Sequence, residues 1–154
     1  MIQRIQTLWL LISALAPLYF IKGQIVKFQN DSMSFYGIGF KGIVLSNSDK
    51  VELLQPSIAI PAAIILIFIT SLVAVFLYRR RNIQKILALA SFAFSAGLLI
   101  ITVYHSWNII REYEAAIKFV PGLILLPLLC ITTILAFRGI SRDEELVRSY
   151  DRLR

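Results

Sequence analysis

Long apolar blocks alternate with short polar connections along the chain. Four blocks hold no Asp, Glu, Lys or Arg apart from Glu52 in the second: residues 5–21, 51–78, 86–110 and 119–137. Each block can supply the roughly 17–25 residues that a helix needs to cross a bilayer. Runs such as IILIFITSLVAVFLY lack the period-two alternation of a membrane barrel. The backbone N–H and C=O groups must therefore form their hydrogen bonds within helices. The pattern predicts an all-α membrane protein, a four-transmembrane-helix bundle.

We expect one membrane domain over residues 1–154, with spans at about 5–22, 57–78, 84–106 and 119–138. Outer loops then cover 23–56 and 107–118, and a cytoplasmic tail covers 139–154. The first block also resembles a cleavable secretory signal that ends in Ala-Leu-Ala at 14–16. Cleavage there would leave Pro17 as the first residue of the mature chain, and its rigid imide fits poorly as an extended protease substrate. We therefore interpret the block as an uncleaved anchor.

The first outer loop carries turn signals, QND and SNSD, around short β-branched and aromatic runs. These signals predict a small β-hairpin-like loop on the outer surface. Within it, GIGFKG at 37–42 matches the dinucleotide pattern G-x-G-x-x-G. That pattern has meaning only between a buried strand and a helix, and no such unit is predicted here. We interpret the glycines as residues of a tight turn, where positive φ costs glycine nothing.

Basic residues set the expected orientation. The turn YRRRNIQK contains Arg79, Arg80, Arg81 and Lys85, and such loops stay on the cytoplasmic side. Both termini then lie in the cytoplasm, with ten basic residues inside and six outside. The net charge of +7 is compatible with nucleic acid, but its residues sit at span ends and not on a folded basic face. The lipid bilayer is the expected partner, and nucleic acid is not.

The charged tail predicts a separate amphipathic helix. Ser141 and Glu144 have the spacing of a capping box, so a new helix is expected to begin there. Apolar and charged residues then separate onto opposite arcs. We expect this helix to fold back under the bundle. Its acidic residues should then lie within reach of Arg4 or of Arg79, Arg80 and Arg81 in the turn YRRRNIQK, which we call the basic turn. The candidate docking residues are Arg4, Arg79, Arg80, Arg81, Arg138, Asp143, Glu144, Leu146, Arg148, Tyr150, Asp151 and Arg152.

Candidate chemistry is sparse. The middle of each predicted span lacks the charged residues that pumps and channels keep there. Cys130 is the only cysteine, and His105 has no Cys, His or carboxylate near it in the sequence, so no cofactor or metal is expected. No catalytic constellation appears, which predicts a protein that is not an enzyme. Internal prolines at 17, 61 and 127 keep open a small-molecule transporter or lipid-handling protein with a cavity at Pro61 and Pro127.

The two ends of the chain carry distinctive local sequence patterns. MIQRIQTLWLL, the basic turn, LPLL and RGISRDEELVRSYDRLR resemble the bacterial domain-of-unknown-function 4293 family of small four-span membrane proteins. The resemblance implies the bacterial inner membrane and no established activity. We expect an accessory or scaffold that docks a membrane-protein partner, or a second copy of itself, through its cytoplasmic face. The matching residues are Gln3, Arg4, Gln6, Arg138, Gly139, Asp143, Glu144, Leu146, Val147, Arg148, Asp151, Arg152 and Arg154.

Overall fold

A computed structural model describes residues 2–30, 34–47, 50–77 and 80–152, with side chains over 7–30, 34–46, 52–77 and 80–144. Over these residues the chain forms four helices and one antiparallel sheet. The helices are α1 (Ile2–Lys22), α2 (Ala59–Phe76), α3 (Arg81–Tyr113) and α4 (Pro121–Arg152). The strands are β1 (Val26–Gln29), β2 (Phe35–Gly39), β3 (Gly42–Asn47), β4 (Lys50–Pro56) and β5 (Ala116–Lys118).

The predicted all-α, four-span bundle is wrong on two counts. The segment between α1 and α2 does not form a surface hairpin but supplies four strands of a five-stranded sheet. Among the residues whose side chains are described, three helices are long and apolar enough to cross a membrane: α2, α3 and the part of α4 up to Glu144. The apolar stretch of α1 in the described chain, Thr7–Lys22, is shorter. The prediction failed in the connections, because hydropathy identifies apolar spans but does not show that short strands from two loops pair into one sheet.

The sheet has the strand order β4-β3-β2-β1-β5. β2 and β3 are joined by a two-residue turn at Phe40 and Lys41, and Gly39 pairs with Gly42 across it. Gly42 has a φ of 126°, which a residue with a side chain rarely adopts. The interpretation of the GIGFKG glycines as hairpin residues is therefore confirmed. β5 comes from the α3–α4 connection and pairs with β1, so both loops build one sheet.

One face of the sheet packs onto the helices. Phe28 pairs with Tyr36 and Val26 with Ile38, and this alternation puts all four on the same face. They join helix residues in one buried cluster, which therefore continues from the sheet down between the helices. The cluster comprises Phe20, Ile25, Val26, Phe28, Tyr36, Ile38, Ile43, Ile60, Ile64, Ile67, Leu98, Ile109, Ala115, Leu126 and Leu129.

Each helix contacts two others: α1 and α3 both pack against α2 and α4. Small side chains permit close approach at the end opposite the sheet, where Leu10, Ala74, Ala88, Ala136 and Ile140 form a second buried cluster. α1 and α3 therefore occupy equivalent positions in the helical layer.

Several hydroxyl side chains are buried inside the helical layer, and many apolar side chains lie on its outer surface. The hydroxyls of Ser71 and Ser91 are 2.7 Å apart across α2 and α3, and those of Ser95 and Thr133 are 3.4 Å apart across α3 and α4. Leucines, isoleucines and valines on the outer surfaces of α2, α3 and α4 are exposed. Ala93 and Gly97, two small residues of α3, do not lie at a helix interface, because Ala93 is exposed and a Cβ at Gly97 would meet nothing within 4 Å. An apolar exterior of this kind suits a lipid environment.

Candidate functional site

The start of α1, the start of α3 and the last part of α4 lie at one end of the helices, which we call the inner end. Leu10 of α1 packs there with Ala136 and Ile140 of α4. Arg4 precedes Leu10 by six helical residues, or about 9 Å, and its backbone therefore lies near the level of Asp143. The structure therefore brings the first turns of α1 and the last part of α4, which are far apart in the chain, to the same end of the helices.

Two contacts join the start of α3 to the last part of α4 at the inner end. The Lys85 Nζ and the Glu144 Oε2 form an ion pair at 3.3 Å, with the two side chains 37% and 16% exposed. Arg81 donates from Nη1 to the carbonyl oxygen of Asp143 at 3.4 Å. The Lys85 ammonium also lies 5.8 Å from the centroid of the Phe137 ring. These contacts differ from the expected pairing of acidic side chains with Arg4 or the basic turn: Asp143 accepts through its backbone carbonyl, and Glu144 pairs with Lys85, which was not among the predicted docking residues.

Lys85 could have been found from helical spacing. It lies four residues after Arg81, which places both cations on one face of α3 once the helix is known to begin at Arg81. Gln84, on the neighbouring face, is buried and donates from Nε2 to the Ala74 carbonyl at 3.1 Å. That bond ties the start of α3 to the end of α2, so the cations project from a fixed helix start.

The tail does not begin a new helix at Ser141. α4 runs without a break from Pro121 to Arg152, and Ser141 lies inside it with its hydroxyl buried and without a hydrogen-bond partner in the described chain. The capping box does not form because Gly139 and Ile140 stay helical, leaving no free N–H groups for Ser141 to cap. A tail folded back under the helices is excluded over the described backbone.

The other predicted docking residues fall into three groups. Arg80 and Arg138 are exposed, and Arg81, Asp143 and Glu144 are half-buried. Arg79 lies outside the described residues. The remaining six are placed by their backbone alone, in α1 or in the last turns of α4: Arg4, Leu146, Arg148, Tyr150, Asp151 and Arg152.

A small apolar cavity of about 150 Å³ lies between α3 and α4 next to these contacts. Leu89, Phe92, Ile134 and Phe137 line it, and Arg138 stands at its edge. Sequence reasoning selected Arg138 and none of the apolar residues, because hydropathy does not distinguish a residue lining a cavity from one facing lipid. The positively charged Arg138 therefore lies beside an apolar recess.

The predicted transporter cavity at Pro61 and Pro127 has no counterpart in the two cavities described here. Pro61 is half-buried in α2 and Pro127 is exposed on α4, and neither lines the cavity beside Arg138 or the larger one near the sheet. Within the described residues, no group of three His, Cys, Asp or Glu side chains could hold a metal ion.

Comparison with curated proteins gives no match. A family model does match, and it covers residues 2–153, which takes in the inner end, the sheet and nearly all of every helix. The match extends the resemblance noted at the two ends through the middle of the chain. The chain therefore belongs to the family described as Domain of unknown function (DUF4293).

Proposed function

We propose that the protein is a non-enzymatic accessory or scaffold protein of the bacterial inner membrane that docks a partner protein through its inner end. The observation that supports this proposal is the length of α4. Glu144 is level with Lys85, yet the helix continues to Arg152, eight residues and about 12 Å farther. We take these last two turns of α4, which continue beyond the level of the Lys85 contact, as the docking surface.

The charges support a cytoplasmic position for this end. The sequence assigns it ten basic residues against four acidic ones, whereas the sheet end carries six against five. Loops rich in Lys and Arg remain in the cytoplasm. A partner with an acidic surface would fit this excess, and complementary charge would speed its association. The Arg81 and Lys85 contacts hold the base of the projecting segment, which lowers the entropy lost when a partner binds it.

Affinity purification from native membranes tests the proposal. A tag in the outer turn near Asn47 leaves both termini free, and the full chain should retain a partner in a stoichiometric ratio. A chain that stops after Glu144 keeps both bracing contacts and loses only the projecting turns, so it should lose the partner while it keeps its unfolding midpoint.

A matched control separates docking from general charge effects. Lys22→Gln and Lys41→Gln together remove two exposed positive charges from the sheet end and should leave partner recovery unchanged. Recovery that survives truncation after Glu144, or that falls equally in the control, would contradict docking through the inner end.

The cavity beside Arg138 favours a second candidate, lipid handling. An apolar recess with one cation at its edge fits an acyl chain whose anionic head group reaches the guanidinium. Arg138→Gln should then reduce the amount of anionic lipid that remains bound during native mass spectrometry. Arg80→Gln, which changes an exposed arginine outside the cavity, serves as the control. Equal lipid retention in both variants would remove this candidate.

A further inference from the structure

A second, larger cavity lies between the sheet and the outer part of α3. Its volume is about 460 Å³, within the roughly 300–1,000 Å³ of small-molecule sites. Two buried isoleucines, Ile43 of β3 and Ile109 of α3, contribute to its lining. Tyr113 forms part of the wall and stacks on Tyr36 of the sheet with ring centroids 4.5 Å apart. The apolar side of the cavity is therefore anchored in the main core.

An irregularity in the sheet shapes the opposite wall. Ile43 pairs with Gln55 and Val44 pairs with Leu53, so Leu54 is an extra residue in β4 without a partner. In a regular strand, neighbouring residues point to opposite faces, yet Leu54 and Gln55 both line the cavity. The bulge makes this possible, and bulges of this kind often redirect side chains beside binding sites.

The α3 wall changes from charged to apolar around the helix. At 3.6 residues per turn, its lining residues follow one another around the axis in the order Arg111, Asn108, Glu112, Ile109, Tyr113. A cation, an amide and a carboxylate occupy one side, and an isoleucine and a tyrosine occupy the other. Gln55 adds a second amide from the sheet. A molecule with a polar head and an apolar part would match both sides.

The cavity carries two charges, and the Glu112 carboxylate also accepts a hydrogen bond from the Tyr113 hydroxyl. Neither Arg111 nor Glu112 forms an ion pair within the part of the chain whose side chains are described. Both side chains are exposed at the cavity mouth. An arginine suits a carboxylate or a phosphate, and a carboxylate suits an ammonium group. Opposite charges side by side therefore select a zwitterion over a molecule of either charge alone.

We propose that this cavity binds a zwitterion that carries an ammonium group and an anionic group next to an apolar part. Arg111 binds the anionic group, Glu112 binds the ammonium group, and Ile43, Ile109 and Tyr113 contact the apolar part. Two sources supply this chemistry: a free apolar amino acid, and the head group of a phosphatidylethanolamine lipid. The second is within reach because Tyr104 and Trp107, exposed one to two turns before the cavity residues, suit the level of lipid head groups.

The test measures binding of both sources to the full chain purified in detergent. Isothermal titration uses leucine, with N-acetyl-leucine and leucine amide as probes that each lack one charge. Native mass spectrometry compares phosphatidylethanolamine with phosphatidylglycerol of the same acyl chains. We expect leucine to bind more tightly than both of its single-charge analogues, or phosphatidylethanolamine to be retained over phosphatidylglycerol, and the probe that binds identifies the source.

Variants then assign the charges. Glu112→Gln and Arg111→Gln should each weaken binding of the preferred probe by about tenfold or more, as expected for loss of a charge-assisted contact. Glu52→Gln and Lys41→Gln remove exposed charges of the sheet end that do not line the cavity and should leave binding unchanged. All four substitutions lie at exposed positions, so equal unfolding midpoints show that folding is intact. The proposal is overturned if neither zwitterion is preferred, or if binding survives both cavity substitutions.

Discussion

The two ends of the helices are closed in different ways. At the sheet end, large side chains such as Phe20, Phe28 and Ile38 fill the space between strands and helices, and all three are fully buried. At the inner end, the cluster around Leu10 uses three alanines, Ala74, Ala88 and Ala136, so the helix backbones approach closely. The sheet end is stabilised mainly by buried apolar area, whereas the inner end depends on close fit and on contacts between charged side chains at its edge.

The two ends also differ in what they offer to another molecule. The sheet end leaves a cavity of about 460 Å³ because a bulged strand cannot pack flush against α3. The inner end has a smaller cavity of about 150 Å³, and its proposed docking surface is the last part of α4. A ligand is therefore expected at the sheet end and a protein partner at the inner end.

Loss of a single membrane orientation is the largest effect that we expect from reducing the charge difference between the two ends. A reporter that works only in the cytoplasm should be active after Arg81 or Arg154 and inactive near Asn47. Replacing Arg79, Arg80 and Arg81 with neutral residues removes the densest basic cluster and should give mixed orientations. Activity near Asn47 in the unchanged chain would invert the assignment of the two ends.

Truncating a large side chain under the sheet should cost more stability than any change to the charged edge. Phe28→Ala removes a fully buried ring from the main core and should lower the free energy of unfolding by about 3–5 kcal/mol. Denaturant unfolding in detergent micelles measures it. Phe119→Ala is the matched control, since that ring is 68% exposed, and it should change stability by less than about 0.5 kcal/mol. Equal costs would mean that the sheet does not pack on the helices.

Enlarging a small side chain tests the close fit of the inner end. Ala88 is fully buried among α1, α2 and α4 residues, so Ala88→Leu should overpack this cluster and cost about 1–3 kcal/mol. Ala93→Leu makes the same change on the exposed surface of the same helix and should be close to neutral. If Ala93→Leu proved the more damaging in the same unfolding assay, α3 would have to be rotated about its axis.

The ion pair at the edge of the inner end should contribute least. Lys85 is 37% exposed, so Lys85→Gln or Glu144→Gln should each cost only about 0–1 kcal/mol, with an effect that shrinks as salt concentration rises. A double-mutant cycle isolates the pair from other contacts of either residue. A coupling energy well above 1 kcal/mol that salt does not reduce would show that the pair, and not close packing, holds the end of α4.

The sequence by itself determined the apolar helices, the tight turn at the glycines, the basic turn and the charged tail. These features depend on local periodicity, on the positive φ of Gly42 and on charge placement, all of which can be read from neighbouring residues. The family resemblance was also visible at the two ends, because their residues form distinctive local patterns.

Only the tertiary structure decided how these pieces combine. Lys118 is brought beside Gln29, 89 residues earlier, when β5 joins the sheet, and its Nζ donates to the Gln29 Oε1 at 2.7 Å. The continuous α4 depends on packing of Ile140 against Leu10 and Ala88, which overrides the local capping signal at Ser141. The cavity requires a bulge in β4 next to the outer turns of α3. Strand pairing and packing join residues that are distant in the chain, so no local pattern encodes them.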